Sequence, residues 1–406
     1  MKYDIHNTGL QLDNALRRLK GDKLILPKNK ARIFEFDEYL QTLGLKNSRR
    51  LKYIILLRWL SKEVNKPFEK VTKEDLMKIV RVLQNNPDLS EWSKVDRKVT
   101  IKRFYKWLTG DDEQYPPEVR WIKCRLKNDR CKLPEELITE EDVTKMADAS
   151  IKSRDKAFIQ CLYETGCRIG ELLTLQLKNI NFDKHGAVLR VTGKTGDRRI
   201  RIVASAPALA TWLDFHPYKK NPDAFLWVRN LHRGAKDFLP FSYPCAVILI
   251  RKLAKKAGIS KRVNPHTFRH SRATALANKL TEAQMKEYFG WTQSSDMAGV
   301  YVHLSGRDID NAILGVYDVK HSQKETEQFK PLTCARCNTT NSPGSKFCTK
   351  CAYALSADVA IQAENENKAN NDILNLLMKE PQFREMMLKK LMEKGQNEAN
   401  PTEGIQ

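Results

Sequence analysis

The chain has 406 residues, enough for two or three domains, and its 71 Lys and Arg against 49 Asp and Glu leave a formal net charge of +22. Positive charge over the whole length points to a polyanionic partner, nucleic acid before anionic membrane. No run of about 18 apolar residues is present to span a bilayer, and the first residues lack the basic, apolar, small order of a secretion signal, so a cytoplasmic, nucleoid-associated protein without a membrane partner is expected.

Residues 1–28 read as an N-terminal segment with one short helix, Leu10–Leu19, and a linker ending at Pro27. Residues 29–115 read as helical. Thr72 opens the helix Lys73–Leu83 in a Thr-x-x-Asp order that resembles a capping box. The helix from Ser48 carries Arg49, Arg50 and Lys52. The helix Trp92–Leu108 turns Val95, Val99, Ile101, Phe104 and Trp107 inward and carries Lys94, Arg97, Lys98, Lys102, Arg103 and Lys106 on its other face. Ordinary solvated helices can also be basic. Two such helices, relieved only by Asp96, read instead as a surface for the phosphates of double-stranded DNA.

Residues 116–132 read as a basic interdomain linker, after which helical periodicity resumes at Thr139-Glu140-Glu141. Arg168 follows the turn Thr165-Gly166-Cys167 and opens an apolar helix, a place that favours anions. Glu171, three residues on, can orient it. Ala187–Val191 and Arg198–Val203 read as two strands joined at Gly193–Asp197, which puts Lys194 at a hairpin tip. Leu213–Phe238 and Tyr243–Ala257 read as mostly helical. His266 and Arg269, three apart on one helical face, can both donate to a tetrahedral anion. Tyr301 lies in a short apolar segment between turn-forming residues.

The order Arg168, Lys194, His266-x-x-Arg269, Gly290-Trp291, Tyr301 resembles the tyrosine recombinases, the phage integrase family, over roughly Leu133 to Lys320. The tail of that block looks most like integrases of archaeal viruses and plasmids. Trp291 stands where many members have a second His, and its gap to Tyr301 is one residue longer than in Xer-type recombinases. The resemblance implies an α+β, mostly helical architecture. An all-α core-binding domain (29–115) would precede a catalytic domain with a small antiparallel sheet (133–320). It also implies roles. Tyr301 is the nucleophile, Arg168 and Arg269 hold the non-bridging oxygens, His266 and Trp291 add donors, Lys194 protonates the leaving 5′-oxygen, and Glu171 orients Arg168 or His266. The product is a 3′-phosphotyrosyl bond and no catalytic cofactor is needed. A homo-tetramer on paired DNA sites is implied, with the helix Ile309–Leu314 docking on a neighbour. A site-specific integrase of a mobile element is the leading reading. An Xer-type chromosome-dimer resolvase, a type IB topoisomerase and a catalytically silent DNA-binding factor are the alternatives.

The nine cysteines fall into a cluster of four and a scatter of five (Cys124, Cys131, Cys161, Cys167, Cys245), which argues against a disulfide framework. Cys334, Cys337, Cys348 and Cys351 form two C-x-x-C knuckles, a spacing that suits a closed four-thiolate structural zinc site. The module at 331–355 resembles a zinc ribbon. A polar linker, Ala357–Asn371, then leads to an amphipathic helical tail at 370–395 that Pro381 should kink or split, and whose apolar face needs a partner: its own domain, another protomer, or a host or accessory protein.

Overall fold

A computed structural model of the chain describes residues 4–110, 113–125, 136–193, 195–230, 238–277, 279–304, 317 and 329–398. The chain divides into two compact units, Met1–Glu136 with Val228–Val247, and Leu137–Trp227 with Ile248–Gln406.

The first unit is a helical bundle: α1 (Thr8–Gly21), α2 (Pro27–Thr42), α3 (Asn47–Val64), α4 (Lys73–Asn85), α5 (Glu91–Leu108) and a single turn, α6 (Pro117–Arg120). The Thr72 side chain and that of Asp75 close a reciprocal capping box at the start of α4. Aromatic edges hold the centre. Phe36 meets Tyr53 and Phe104 at ring centroid distances of 5.7 and 5.3 Å, and Phe68 meets Phe104 at 4.7 Å. Leu12, Leu19 and Ile25 belong to this same core, as do Val119 and Ile122. The N-terminal segment and the start of the expected linker are therefore built into the bundle, because each apolar side chain taken from water contributes roughly 1.5–3 kcal/mol.

The expectation of helix through Leu213–Phe238 does not hold. The helix there ends at Asp214, and Val228–Asn230 pairs antiparallel with Phe238–Pro240. The reason is local. Pro217 and Pro222 cannot continue a helix, and the turn between them is fixed instead by His216, whose Nε2 donates to Phe225 O while its Nδ1 accepts from Tyr218 N, each at 3.1 Å.

The second unit begins with α7 (Glu140–Asp148), capped by Thr139 and Asp142, then α8 (Ser153–Thr165) and the five-residue α9 (Ile169–Leu173). A three-stranded antiparallel sheet follows in the order β1 (Ile180–Asp183), β2 (Gly186–Gly193), β3 (Gly196–Ile202). Gly193 pairs with Gly196, so the hairpin tip is only two residues long. Then come α10 (Ala206–Asp214), the pair β4 and β5 already described with the first unit, α11 (Tyr243–Lys256), α12 (Pro265–Ala277), α13 (Glu282–Phe289) and α14 (Met297–Leu304). The segment around the expected helix Ile309–Leu314 lies outside the described residues.

Helix α8 is the axis of this unit, with Ala157 to Thr165 all buried. The Glu164 carboxylate near its end accepts the main-chain N–H groups of Val203, Ala204 and Ser205 at 2.7, 3.0 and 2.7 Å, and the Ser205 hydroxyl at 2.6 Å. One side chain thereby ties the end of β3 and the start of α10 to α8.

The cysteine-rich module packs on the same unit. Gly344 has φ +73°, and a Cβ there would collide with Thr144 Cγ2 on α7, so the loop reaches α7 only as glycine. Pro343 O accepts Gln160 Nε2 at 3.5 Å, and Phe329 meets the Tyr163 ring at 5.4 Å. The tail is two helices, α15 (Ala357–Met378) and α16 (Pro381–Glu398). Ser356 caps the first, so the expected polar linker is helical, and Pro381 begins the second, where its missing N–H costs nothing. Ile373, Leu376, Leu377 and Met386 on these helices are exposed. No helix among the described residues is long and apolar enough to cross a membrane.

Replacing Glu164 by Ala strands three N–H groups, two of them buried. The expected loss is about 3 kcal/mol or more in urea unfolding, with Glu164→Gln intermediate because its amide oxygen can still accept.

Candidate active site

Helix α13 ends at Gly290, which takes φ +61°. This left-handed turn frees three successive carbonyls, and each receives a guanidinium. Tyr288 O accepts Arg198 Nε at 2.9 Å, Phe289 O accepts Arg269 Nη2 at 2.7 Å, and Gly290 O accepts Arg168 Nη2 at 3.0 Å. The C-terminal end of a helix carries partial negative charge, so it is a natural seat for cations. Arg269 Nη1 also reaches Gly166 O at 2.9 Å, which anchors α12 to the turn before Arg168. Arg168 and Arg269, separated by about a hundred residues in sequence, thus sit on adjacent carbonyls of one turn.

Glu171 bridges two of these arginines. Its carboxylate accepts Arg198 Nη2 at 2.7 Å and Arg168 Nη1 at 3.0 Å, and it also caps α9 by accepting Arg168 N at 3.0 Å. Glu171 therefore holds the Arg168 guanidinium and its main-chain N–H together. Burial, the largest single influence on Glu171, pushes its pKa up. The hydrogen bonds and charges of Arg198 and Arg168 outweigh it, and the carboxyl stays below the usual glutamate value. Arg198, which the sequence reading passed over, lies on β3 just beyond the hairpin tip and is nearly buried. Thr195 Oγ1 adds a bond to Gly290 O at 3.1 Å, so the tip is held against the same turn. Lys194 itself lies outside the described residues.

Three guanidiniums against one carboxylate leave the cluster positive. Burial first, and then repulsion by Arg168, push the Arg269 pKa down to about 10. Arg168 is the more open of the three, with its side chain 34% exposed against 8% for Arg198. The arrangement suits a doubly contacted oxyanion: fixed donors, a positive local field, and one open face. His266 lies on α12 three residues before Arg269 and is exposed.

The short apolar segment that holds Tyr301 is a helix, α14. Its ring is 3% exposed and lies nearly parallel to Trp291, with centroids 5.5 Å apart and planes at 6°. Trp291 also stacks on Phe289 at 5.0 Å, and Arg269 Cζ lies 5.5 Å from the Trp291 ring. Trp291 thus packs between the nucleophile candidate and the arginine turn. The Tyr301 hydroxyl is hydrogen-bonded to His270 Nδ1. His270 was not among the residues expected. The available signal was its position directly after Arg269, on the helix that already carried the motif.

Two other tyrosines of this unit are buried or partly buried, and one is engaged by its hydroxyl. Tyr288 donates its hydroxyl to Glu164 O at 2.7 Å, and burial pushes the pKa of Tyr288 and Tyr163 up, against ionisation. Tyr317 is exposed.

The basic residues of the first unit divide into two sets. Arg50 is committed to Asp37 through two bonds of 2.9 and 2.7 Å, Lys94 to Gln84 O and Glu91, and Lys52 to Asp96. Lys98 reaches Gln84 Oε1 at 2.5 Å. The others lie on aromatic faces. Arg49 and Arg103 lie over Tyr53 at 5.7 and 5.4 Å, Arg97 over Trp59 at 4.2 Å, and Lys102 and Lys106 over Tyr115 at 4.2 and 5.3 Å. These stacked stems hold cationic heads along α3 and α5 at low entropic cost.

The Sγ atoms of Cys334, Cys337, Cys348 and Cys351 all lie within 4.8 Å of one another and could hold a metal ion. Cys334 to Cys351 is 3.6 Å and Cys337 to Cys348 is 3.5 Å. A tetrahedron of thiolates about 2.3 Å from a zinc has edges of about 3.8 Å, so the donor set fits. Both knuckles have the same backbone: Asn338 and Ala352, each directly after the second Cys of its pair, take φ +56°.

Glu171→Gln would leave the three guanidiniums without a counter-charge. A loss of about 3–5 kcal/mol is expected in urea unfolding, partly restored by added sulfate. The lowered Glu171 pKa implies stability present above the unfolded carboxyl pKa and lost as pH falls through the folded value. In Glu171→Gln that part of the acid limb should vanish from the pH profile of stability.

Residues 136–307 match the model of the phage integrase family. The tyrosine recombinase XerA of Pyrococcus horikoshii is 26% identical over 283 residues, which cover 69% of this chain and 91% of that protein. Two solved structures share the fold. XerH site-specific recombinase bound to palindromic difH substrate aligns at 17% identity and a TM-score of 0.51, over 78% of this chain and 98% of that one. A lambda integrase tetramer bound to a Holliday junction aligns at 14% identity and a TM-score of 0.51, over 67% of this chain and 76% of that one. The matched stretch spans the arginine turn and Tyr301, and over it this chain is similar to the phage integrase family and to the tyrosine recombinase XerA.

Proposed function

We propose that the chain cleaves and rejoins DNA strands through a 3′-phosphotyrosyl intermediate on Tyr301, and that it integrates or excises a mobile element. The observation that carries the first part is the turn at Gly290, where Arg168 and Arg269 meet beside Trp291 and Tyr301. In the proposed reaction the two arginines hold the non-bridging oxygens of one phosphate. His266 and Trp291 donate further hydrogen bonds, and Lys194 protonates the leaving 5′-oxygen. Each such donor is worth on the order of 3–4 kcal/mol of transition-state stabilisation. The bond energy stays in the protein–DNA link, so no nucleotide is consumed.

The mobile-element part rests on the additions beyond the matched stretch, a cysteine-rich module and two long helices. The likeness to XerA favours a second reading, an Xer-type chromosome-dimer resolvase. The DNA partner is proposed to lie along Arg49, Arg97, Lys98, Lys102, Arg103 and Lys106. Assembly as a tetramer on two paired sites follows the lambda integrase complex. The tail helices are proposed to meet a host or accessory protein.

Incubation with a pool of nicked, random-sequence duplexes should give an SDS-resistant adduct, and the trapped DNA identifies the site. An element attachment site supports integration; a single chromosomal site supports resolution. Tyr301→Phe should abolish the adduct and leave DNA affinity near wild type; an undiminished adduct would remove Tyr301 as nucleophile.

The four cysteines are proposed to bind one zinc, which closes both knuckles when bound and takes no part in strand cleavage. Metal analysis should return one zinc per chain, lost in Cys348→Ser. Because the module packs against α7, the metal-free protein should melt at lower temperature.

A further inference from the structure

We infer that His270 is the general base that takes the Tyr301 proton during cleavage and returns it during rejoining. The inference rests on Tyr301 being the nucleophile.

The Tyr301 hydroxyl already meets His270 Nδ1, and with the imidazole proton on Nε2 that nitrogen accepts the reacting O–H. The two rings are 5.7 Å apart and tilted by 42°, which suits a bond in the imidazole plane. The phenol ring is held in place. It is 3% exposed, which keeps bulk water away, and its face is laid flat on Trp291. The base is equally fixed. His270 follows Arg269 on α12, and Arg269 is locked by Gly166 O and Phe289 O. The same anchors that hold the oxyanion donor therefore set the rotation of the helix that presents the base. His266 sits on the same helix but is exposed, which suits a hydrogen-bond donor to the phosphate.

The step balances. As Tyr301 Oη bonds to phosphorus, its O–H bond breaks and the proton passes to Nδ1. The phosphorus–O5′ bond breaks, and the 5′-oxygen takes its proton from a separate acid. In rejoining, the 5′-hydroxyl attacks phosphorus and gives its proton to that same group, now a base, while the phosphorus–Oη bond breaks and His270 returns its proton to the phenolate.

The test uses the full chain and the pool of nicked random-sequence duplexes. His270→Ala and His270→Asn are compared with wild type, each with Tyr or with a more acidic fluorotyrosine at position 301. The Asn side chain can still accept a hydrogen bond from the hydroxyl but cannot hold the proton. Adduct formation should fall on the order of 100-fold in both variants, with thermal melting and DNA retention unchanged, and fluorotyrosine should restore roughly tenfold or more of it. Wild-type rates in His270→Asn, or a loss that fluorotyrosine leaves untouched, would show that His270 only holds the ring and would overturn the inference. An adduct that persists in Tyr301→Phe would instead overturn the nucleophile assignment.

Discussion

Everything in the second unit converges on the last turn of α13. Three consecutive carbonyls, Tyr288, Phe289 and Gly290, each hold an arginine that arrives from a different part of the chain. The arrangement depends on one backbone choice. With φ +61° at Gly290, the helix stops and its terminal carbonyls turn outward; a Cβ there would lie 2.7 Å from Arg198 Nη1. Helix capping and cation binding are thus one event. The protein uses the orphan acceptors that every helix end must satisfy to aim the donors that a phosphate would need.

The framework behind that turn keeps it rigid. Glu164 joins α8 to the end of β3, while its own main-chain oxygen receives Arg272 Nε and the Tyr288 hydroxyl. Glu171 joins α9 to β3 through Arg198. Both carboxylates are buried and both are fully committed, so the sheet, α8 and α13 cannot shift independently. The cysteine-rich module adds to the same framework from the side of α7, through Gly344 and Thr144. Its place on the fold is that of a brace on α7 and α8, although its residues follow Tyr301 in sequence.

Much of this was legible from residue types and spacing. Arg168, Glu171, His266, Arg269 and Trp291 could be found because each combines an anion-binding side chain or donor with a local signal: a helix start, an i, i+3 spacing, or a Gly before it. The capping boxes at Thr72 and Thr139 were legible for the same reason, since both partners lie within four residues. Arg198 and His270 were not legible, because their importance comes from long-range partners, Tyr288 and Tyr301, that no local pattern announces. The apolar character of Leu213–Phe238 suggested helix, but the carbonyls of Phe225 and Leu226 are taken by His216 and Trp212, a tertiary pairing that outweighs the local apolar pattern. The helix at Tyr301 was missed because its eight residues are too few to show a period.

The arginine turn holds more positive charge than its single carboxylate balances. Two unit charges about 4 Å apart interact by about 4 kcal/mol at an effective dielectric near 20. A phosphate seated between Arg168 and Arg269 would gain that attraction twice and would also relieve the repulsion that, after burial, holds Arg269 down to about 10. The gain exists only when the anion is present, so the fold carries the repulsion until an anion binds. That repulsion is tolerable because helix carbonyls and Glu171 offset part of it. Adding another carboxylate would relax the cluster further and would also compete with the phosphate. The observed balance, one acid to three arginines, is therefore a compromise between folding, which favours neutrality, and binding, which needs an unpaired positive field.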